Sequence, residues 1–188
     1  MESVNRALQA LVNRALAVAP EGHFWLPFDP DWRSPCELDH RREEQGPQVG
    51  WCPTPQTTPM SFDGLANALD QAIHPDICAY FSQYWSGSLQ TQAHEGHVSL
   101  IQLWNPEDFD RLIENLIGHS LVKKRRRETF TVFFATTEED SELFLSIDNL
   151  TGQVLLEHPG KPPLRTVANS VAEFLDTLTP VASMPGIY

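Results

Sequence analysis

Residues 102–127 read Gln-Leu-Trp-Asn-Pro-Glu-Asp-Phe-Asp-Arg-Leu-Ile-Glu-Asn-Leu-Ile-Gly-His-Ser-Leu-Val-Lys-Lys-Arg-Arg-Arg and predict a long capped helix. Asn105 is a good N-cap residue, and Pro106 suits the first helical position. One apolar stripe recurs at helical spacing, made of Phe109, Leu112, Ile113, Leu116 and Ile117. The basic run Lys123–Arg127 closes the segment, where the negative end of a helix dipole favours cations.

The opposite side of this helix is acidic. Glu107, Asp110 and Glu114 fall away from the apolar stripe, so the helix presents a row of carboxylates to solvent. Such a pattern is typical of a structural helix with an acidic outer face. It implies no catalytic group.

Patterns on both sides of the helix alternate with a period of two. Residues 89–93 and 98–103 predict a hairpin that turns at Glu95-Gly96. After the helix, segments 130–135, 143–147 and 153–157 predict an antiparallel meander. Further helices are expected over 3–18, over 62–73 behind Ser61, from Pro75 onward with Ile77, Tyr80, Phe81 and Tyr84, and after a cap at Asn169 or Ser170.

This order predicts an α+β fold, a single domain with a mainly antiparallel sheet flanked by helices. Residues 19–60 are rich in proline, charge and tryptophan, and we expect an irregular segment that wraps the core. One domain is expected over 1–188, with an N-terminal helix at 1–18 and a tail at 181–188.

The charge balance narrows the classes of partner. The 188 residues carry a net charge of −12, although five of the 13 basic residues lie together at 123–127. An acidic surface repels nucleic acid and attracts basic protein segments, so we expect no nucleic-acid partner. Three cysteines, an odd number, suit a reduced cytosolic protein. We find no apolar run long enough to cross a membrane and no secretory signal pattern.

Two groups of residues invite a metal hypothesis. His94-Glu-Gly-His97 has spacing i, i+3 between two strand patterns, whereas a zinc protease needs i, i+4 on a helix, so a polar hairpin turn is the better interpretation. Cys36, His40, Cys52 and Cys78 have irregular spacing and no Cys-x-x-Cys pair, which favours ordinary thiols. His119 is interpreted as a packed or capping histidine. We therefore predict no metal, no cofactor and no enzyme active site.

Several sequence blocks together resemble one family. They are Trp104-Asn-Pro-Glu-Asp-Phe-Asp-Arg, Glu114-Asn-Leu-Ile-Gly-His, Phe134-Ala-Thr-Thr-Glu-Glu-Asp-Ser-Glu, Asn149-Leu-Thr-Gly and Ala168-Asn-Ser-Val-Ala-Glu-Phe-Leu. In order and spacing they resemble the bacterial SecY-interacting Syd family, and the likeness extends from about Ser34-Pro-Cys and Trp51-Cys-Pro-Thr-Pro to Pro180. The first 30 or so residues, the 123–127 run and the tail 183–188 match least.

The resemblance implies a fold related to the SUKH superfamily and a peripheral protein on the cytoplasmic face of the inner membrane. It also implies that an electronegative concave surface binds the SecY channel subunit and that binding restrains or checks the translocase. On this basis we predict a partner-binding surface that includes ten carboxylates. They are Glu43, Glu44, Asp70, Glu107, Asp108, Glu114, Glu138, Glu139, Asp140 and Glu142.

Alternatives stay open at this point. The run Lys123–Arg127 either complements the helix C-terminus or contacts anionic lipid headgroups near the channel. The acidic surface would equally suit an antidote-like module that covers a basic toxin. A metal-dependent hydrolase that uses His94 and His97 is the alternative from another functional class.

Overall fold

The fold consists of helices packed on a curled antiparallel sheet, seen here in a computed structural model that describes residues 2–42, 46–138 and 140–182. The helices are α1 (Glu2–Val18), α2 (Asp63–Leu69), α3 (Pro75–Phe81), α4 (Pro106–Arg126) and α5 (Val171–Thr177). The strands are β1 (Phe24–Pro27), β2 (Glu37–Arg42), β3 (Gln48–Trp51), β4 (Thr54–Pro55), β5 (Tyr84–Trp85), β6 (Leu89–Ala93), β7 (Gly96–Leu100), β8 (Thr131–Thr136), β9 (Phe144–Asp148), β10 (Val154–Glu157), β11 (Arg165–Ala168) and β12 (Thr179–Pro180).

Seven strands form the main sheet, in the order β11-β10-β9-β8-β7-β6-β12. Each neighbouring pair is antiparallel. The predicted hairpin is β6 with β7, and the predicted meander is β8, β9 and β10. The predicted α+β class with a mainly antiparallel sheet is confirmed.

A second, three-stranded sheet corrects the expectation for residues 19–60. This segment is not irregular throughout, because β1, β3 and β2 pair in that order, with Phe24 opposite Trp51 and Pro27 opposite Gln48. The strands carry prolines and charged residues rather than a clean alternation, which hid them from the sequence pattern. Two tryptophans lie on its strands, Trp25 on β1 and Trp51 on β3.

Helix α4 follows its sequence pattern closely. The Asn105 side chain accepts a hydrogen bond from the backbone N–H of Asp108 at 2.9 Å, and Pro106 occupies the first helical position. Phe109, Leu112 and Leu116 are buried. At the other end Arg127 adopts a left-handed conformation, with φ of 57°.

Two shorter helices differ from the prediction in extent. Helix α2 ends at Leu69 rather than near residue 73, because Asp70 takes a left-handed conformation that stops the helix. Helix α3 begins at Pro75 as predicted, but Tyr84 lies in β5 rather than on the helix. The last helix is capped by Ser170, whose hydroxyl accepts from the Glu173 N–H at 3.1 Å.

The N-terminal and C-terminal helices pack together. Val4, Leu8 and Leu11 of α1 are fully buried in the same core as Leu175 of α5. The Arg14 guanidinium donates to the carbonyl oxygens of Leu175 and Leu178, at 3.4 and 3.3 Å. Within the described part of the chain, no helix combines the length and the apolar character needed to cross a bilayer.

Candidate functional site

A cavity of about 720 Å³ is walled by four tryptophans. Trp25, Trp32, Trp51 and Trp104 line it, and we call it the tryptophan cleft. Its remaining wall comes from residues on both sheets and from the first turn of α4, including His23, Phe24, Gln90, Gln102, Asp108 and Val181. A cavity of this size lies within the range of ligand sites in proteins.

The small sheet sets the floor of the cleft. Because Phe24 and Trp51 are opposite each other on β1 and β3, their rings lie 4.8 Å apart, and Trp51 also meets Trp104 edge-on at 6.1 Å. Gly87 passes directly over Trp51. A Cβ atom on Gly87 would lie 2.7 Å from the Trp51 Cζ2 atom, so only glycine fits there without movement.

The start of α4 fixes the other side of the cleft. The Trp104 indole N–H donates to the carbonyl of Trp32 at 2.9 Å, and the Asn105 side-chain amide donates to the carbonyl of Arg33 at 2.9 Å. The Asp108 carboxylate in turn accepts from the backbone N–H of Trp104 at 3.1 Å. The cap of the helix thus also anchors the segment that carries Trp32.

The cleft combines aromatic faces with negative charge. Asp108 is half-buried in its wall, and Glu21 is exposed beside it. On the Trp32 ring, the Arg111 guanidinium lies 3.9 Å from the ring centroid, a cation–π contact already made within the protein. These are features that bind a cation with an apolar or planar body.

Buried polar atoms in the wall lack partners among the described residues. They include the Trp51 indole N–H and the Gln90 Oε1. Trp51 is only 5% exposed. Since most buried polar groups in proteins are hydrogen-bonded, unpaired groups in a cleft wall mark a place for a ligand or water.

Of the predicted carboxylates that lie in the described ranges, one is in the wall of this cleft, and that is Asp108. Glu107 and Glu114 are exposed on the outer face of the same helix, as the sequence predicts. Asp70 is exposed at the end of α2. Three of the ten, Glu43, Glu44 and Glu139, lie outside the described residues.

The remaining three lie in the connection between β8 and β9. Glu138 accepts from the backbone N–H of His97 at 2.7 Å and lines a separate small cavity of about 170 Å³. Glu142 is 3.1 Å from His158, and Asp140 is exposed. The described carboxylates thus lie in separate parts of the surface, and whether they bind a partner stays a prediction.

Comparison with known proteins identifies the family. The family model described as "Syd protein (SUKH-2)" matches residues 5–180. The chain belongs to the Syd family.

Relatives named "Protein Syd" are similar to this chain over most of its length. The relative from Alteromonas mediterranea is 41% identical over 156 residues, which cover 83% of this chain and 84% of the relative. That from Pseudoalteromonas atlantica is 36% identical over 183 residues, covering 96% and 98%. The Hahella chejuensis relative is 42% identical over 159 residues, covering 82% and 81%.

The basic run of this Syd family chain is not a uniform exposed patch. Lys123 is 4% exposed, and its ammonium pairs with Glu157 and Glu128. Arg126 pairs with Glu128 at 2.7 Å, and this hydrogen bond, with the contact from Lys123, holds the pKa of Glu128 below its usual range. The interpretation of the run as the closing turn of a helix is confirmed, since it forms the last turn and the cap of α4.

His119 packs against the sheet beside this cluster. Its Nε2 lies 3.1 Å from the Thr131 hydroxyl, and its ring meets Phe133 edge-on. Burial, and then the charge of Lys123, lowers the pKa of His119. The interpretation of His119 as a packed histidine is confirmed.

The groups considered as metal ligands do not converge. His94 is exposed at the β6–β7 turn, whereas His97 is buried on β7, so the predicted hairpin turn is confirmed. Burial raises the pKa of Cys36 to about 12, which suits an inert thiol. Within the described ranges, no three His, Cys, Asp or Glu side chains are grouped as metal ligands would be.

Sequence reasoning missed the tryptophan cleft. Its four tryptophans come from residues 25, 32, 51 and 104, which only the folded chain brings together. One signal was available. Three of the five tryptophans of this Syd family chain fall within residues 19–60, and such a concentration of large aromatic side chains indicates a shared packing or binding surface.

Proposed function

We propose that this protein is a non-enzymatic binding protein that associates with the SecY channel subunit at the cytoplasmic face of the inner membrane and regulates or checks the translocase. Membership of the Syd family, over residues 5–180, is the observation that carries the proposal. The acidity of the chain, with a net charge of −12, supports it.

Charge complementarity supplies the first step of this binding. The cytoplasmic loops of membrane proteins are enriched in Lys and Arg. Exposed carboxylates attract such loops at long range and raise the rate of association. Glu107 and Glu114 on the outer face of α4, together with Asp140 between β8 and β9, are exposed and suited to this role.

Charge alone does not hold the complex. An exposed ion pair contributes only about 0–1 kcal/mol, so apolar and aromatic contacts must supply the remainder of the affinity. The tryptophan cleft offers that surface next to Asp108. Tryptophan is among the residues most enriched at the energetic centres of interfaces.

Lipid contact is a secondary part of the proposal. Lys123 is buried, so this contact would fall to Lys124, Arg125 and Arg127, which are exposed. Leu121 and Val122, at 52% and 48% exposed, lie one turn earlier on α4. Most membrane association then comes from SecY, because the protein as a whole is acidic.

Co-purification with detergent-solubilised SecY tests the main proposal. We expect the tagged protein to capture SecY at low salt and to lose it as salt rises, because the Debye length falls from about 10 Å at 0.1 M to about 3 Å at 1 M. The double substitution Glu107→Lys with Glu114→Lys should weaken capture.

The matched control is Glu2→Lys with Asp176→Lys, which makes the same change of net charge at exposed positions outside the ten predicted carboxylates. Capture by this control should remain near that of the native chain. Equal loss in both variants would indicate a dependence on net charge alone. No capture of SecY by the native chain under any salt condition would contradict the proposal.

Sedimentation with channel-free anionic vesicles tests the lipid contact. We expect little binding, and that little should disappear in the triple substitution Lys124→Glu, Arg125→Glu and Arg127→Glu. Unchanged sedimentation of the triple variant would remove these residues from the proposal.

The antidote alternative uses the same acidic surface and a different partner. A basic toxin that binds the chain, in place of SecY, would move the protein to this class. The hydrolase alternative needs a metal held by His94 and His97, and metal analysis of the purified protein tests it.

A further inference from the structure

We infer that the tryptophan cleft is an arginine-binding pocket. It binds the guanidinium group of an arginine side chain of a basic partner segment, between aromatic faces and beside the Asp108 carboxylate. The inference rests on the proposed function for the source of that segment. It adds the side chain that is selected and the residues that select it.

The walls suit a planar cation. Guanidinium is flat, delocalised and weakly hydrated, so it stacks on aromatic rings more readily than the compact ammonium of lysine. The protein already contains such a contact on one of the cleft tryptophans, because the Arg111 guanidinium lies 3.9 Å from the Trp32 ring centroid. The half-buried Trp25 and Trp32 present the more accessible ring surface of the cleft, whereas Trp51 and Trp104 are 5% and 7% exposed.

The unpaired groups in the wall include an acceptor, the Gln90 Oε1, as well as the Trp51 indole N–H donor. His23 Nδ1 lies 3.0 Å from the carbonyl oxygen of Glu21, and its Nε2 lies 3.6 Å from the Glu21 carboxylate, so this ring already faces an acidic residue at the cleft wall. Gln90 donates its side-chain NH₂ to Ser99 at 3.1 Å, which leaves its Oε1 unpaired. Guanidinium supplies five N–H donors and no acceptor, so its hydrogen-bonding character is complementary to the Gln90 oxygen and to the Glu21 carboxylate.

Asp108 supplies the counter-charge. One of its oxygens, Oδ2, accepts from the Trp104 N–H at 3.1 Å, which fixes the carboxylate in the cleft wall. The carboxylate retains capacity for further hydrogen bonds, because an ionised carboxylate has about four acceptor positions. A half-buried carboxylate next to aromatic rings favours a cation more strongly than an exposed one does.

Peptides of equal charge separate this pocket from general electrostatic attraction. The probes are two fluorescein-labelled decapeptides, one alternating arginine with serine and the other alternating lysine with serine. Anisotropy titrations at fixed ionic strength give their dissociation constants. We expect the arginine peptide to bind at least about fivefold more tightly, because stacking and the planar donor set distinguish the two cations.

Substitutions in the cleft should remove that preference. Asp108→Asn keeps an acceptor for the Trp104 N–H but removes the charge, and Gln90→Leu removes the unpaired oxygen. The matched controls are Asp110→Asn, an exposed position on the same helix outside the cleft, and Gln92→Leu, an exposed position on the same strand. We expect the ratio of the two dissociation constants to fall toward one in the cleft variants and to stay at the native value in the controls.

Two results would overturn the inference. One is equal affinity for both peptides in the native chain, and the other is an arginine preference that survives both cleft substitutions in variants that melt as the native chain does. The titrations contain no SecY, so their result does not depend on whether SecY co-purifies with the protein. Conversely, SecY capture without an arginine preference would retain the proposed function and remove the pocket.

Discussion

The two ends of α4 carry opposite charge, and they differ in whether the buried polar groups beside them have partners. At the C-terminal end, the Lys123 ammonium meets Glu157 and Glu128, and the second oxygen of Glu157 accepts from the Ser146 hydroxyl. At the N-terminal end, the tryptophan cleft contains buried polar atoms without partners, among them the Trp51 indole N–H.

The contrast separates a structural polar cluster from a binding surface. A buried ion pair is retained when each charge has its partner, since the cost of desolvation is then offset. A buried polar group without a partner costs the folded state free energy. A ligand that makes the missing hydrogen bond removes this cost. Both kinds of site lie along a single helix of 21 residues.

The largest expected effect comes from breaking the C-terminal cluster. Lys123→Met leaves the Glu157 carboxylate, 1% exposed, without its counter-charge. We expect the free energy of unfolding to fall by about 3–5 kcal/mol, as found when one partner of a buried pair is removed. Urea denaturation measures it.

The neighbouring substitution Lys124→Met is the control, because Lys124 is exposed. Its effect should stay within about 0.5 kcal/mol. Adding Glu157→Gln to Lys123→Met should recover part of the loss, since the unpaired charge is then gone. Equal effects at positions 123 and 124 would contradict the structural role of the cluster.

A smaller effect is expected from filling the close contact in the cleft. Gly87→Ala places a Cβ atom 2.7 Å from Trp51 Cζ2, so the ring or the backbone must move. Overpacking of this kind costs about 1–3 kcal/mol. Thermal melting followed by tryptophan fluorescence reports both the lost stability and the displaced ring.

Gly64→Ala is the matched control. The added Cβ atom meets nothing within 4 Å, and the residue lies in the first turn of α2. No loss of stability is expected from it. A Gly87→Ala variant as stable as this control, with unchanged fluorescence, would show that the Trp51 wall is loosely held.

Replacing a glycine in α4, the helix that joins the two regions, should stabilise the protein. Gly118 lies inside α4, and a Cβ atom there meets nothing within 4 Å. Gly118→Ala should raise the free energy of unfolding by up to about 1 kcal/mol, because alanine loses less backbone entropy in a helix. Urea denaturation checks the gain, and a loss would mean that the helix is bent or crowded at this point.

The smallest expected effect is a pH dependence at the C-terminal cluster. Burial lowers the pKa of His119, with Lys123 acting in the same direction and Glu157 and Glu128 acting against it. The unfolded chain therefore binds a proton more readily than the folded one. This contribution is fully present above the ordinary histidine pKa near 6.5 and is lost as pH falls below it.

The comparison variant is His119→Gln, which cannot titrate in this range. The melting temperature of the native chain should fall more between pH 8 and pH 5.5 than that of the variant, by on the order of a degree. Parallel curves for the two proteins would assign the pH dependence to other groups.

The parts of the fold that sequence predicts are those with local patterns. The cap at Asn105, the apolar stripe of α4 and the alternation of β6 and β7 are each encoded within a few consecutive residues. Helix positions follow from a period of 3.6 residues and strand positions from a period of two.

The parts that escaped prediction depend on distant residues. β1 is defined by its pairing with β3, more than 20 residues later, and its four residues include a proline. The tryptophan cleft needs that pairing together with the start of α4. Among the predicted carboxylates, Asp108 reaches the cleft wall because of its place in the first turn of the helix.

The contact of α1 with α5 has a consequence for the order of events during synthesis. Leu8 and Leu11 share a core with Leu175, and Arg14 donates to the carbonyl oxygens of Leu175 and Leu178, which are made more than 150 residues later. Contacts this distant in sequence form slowly. Helix α1 is therefore fully packed only after α5 has been made, and until then part of its apolar face stays exposed to chaperones.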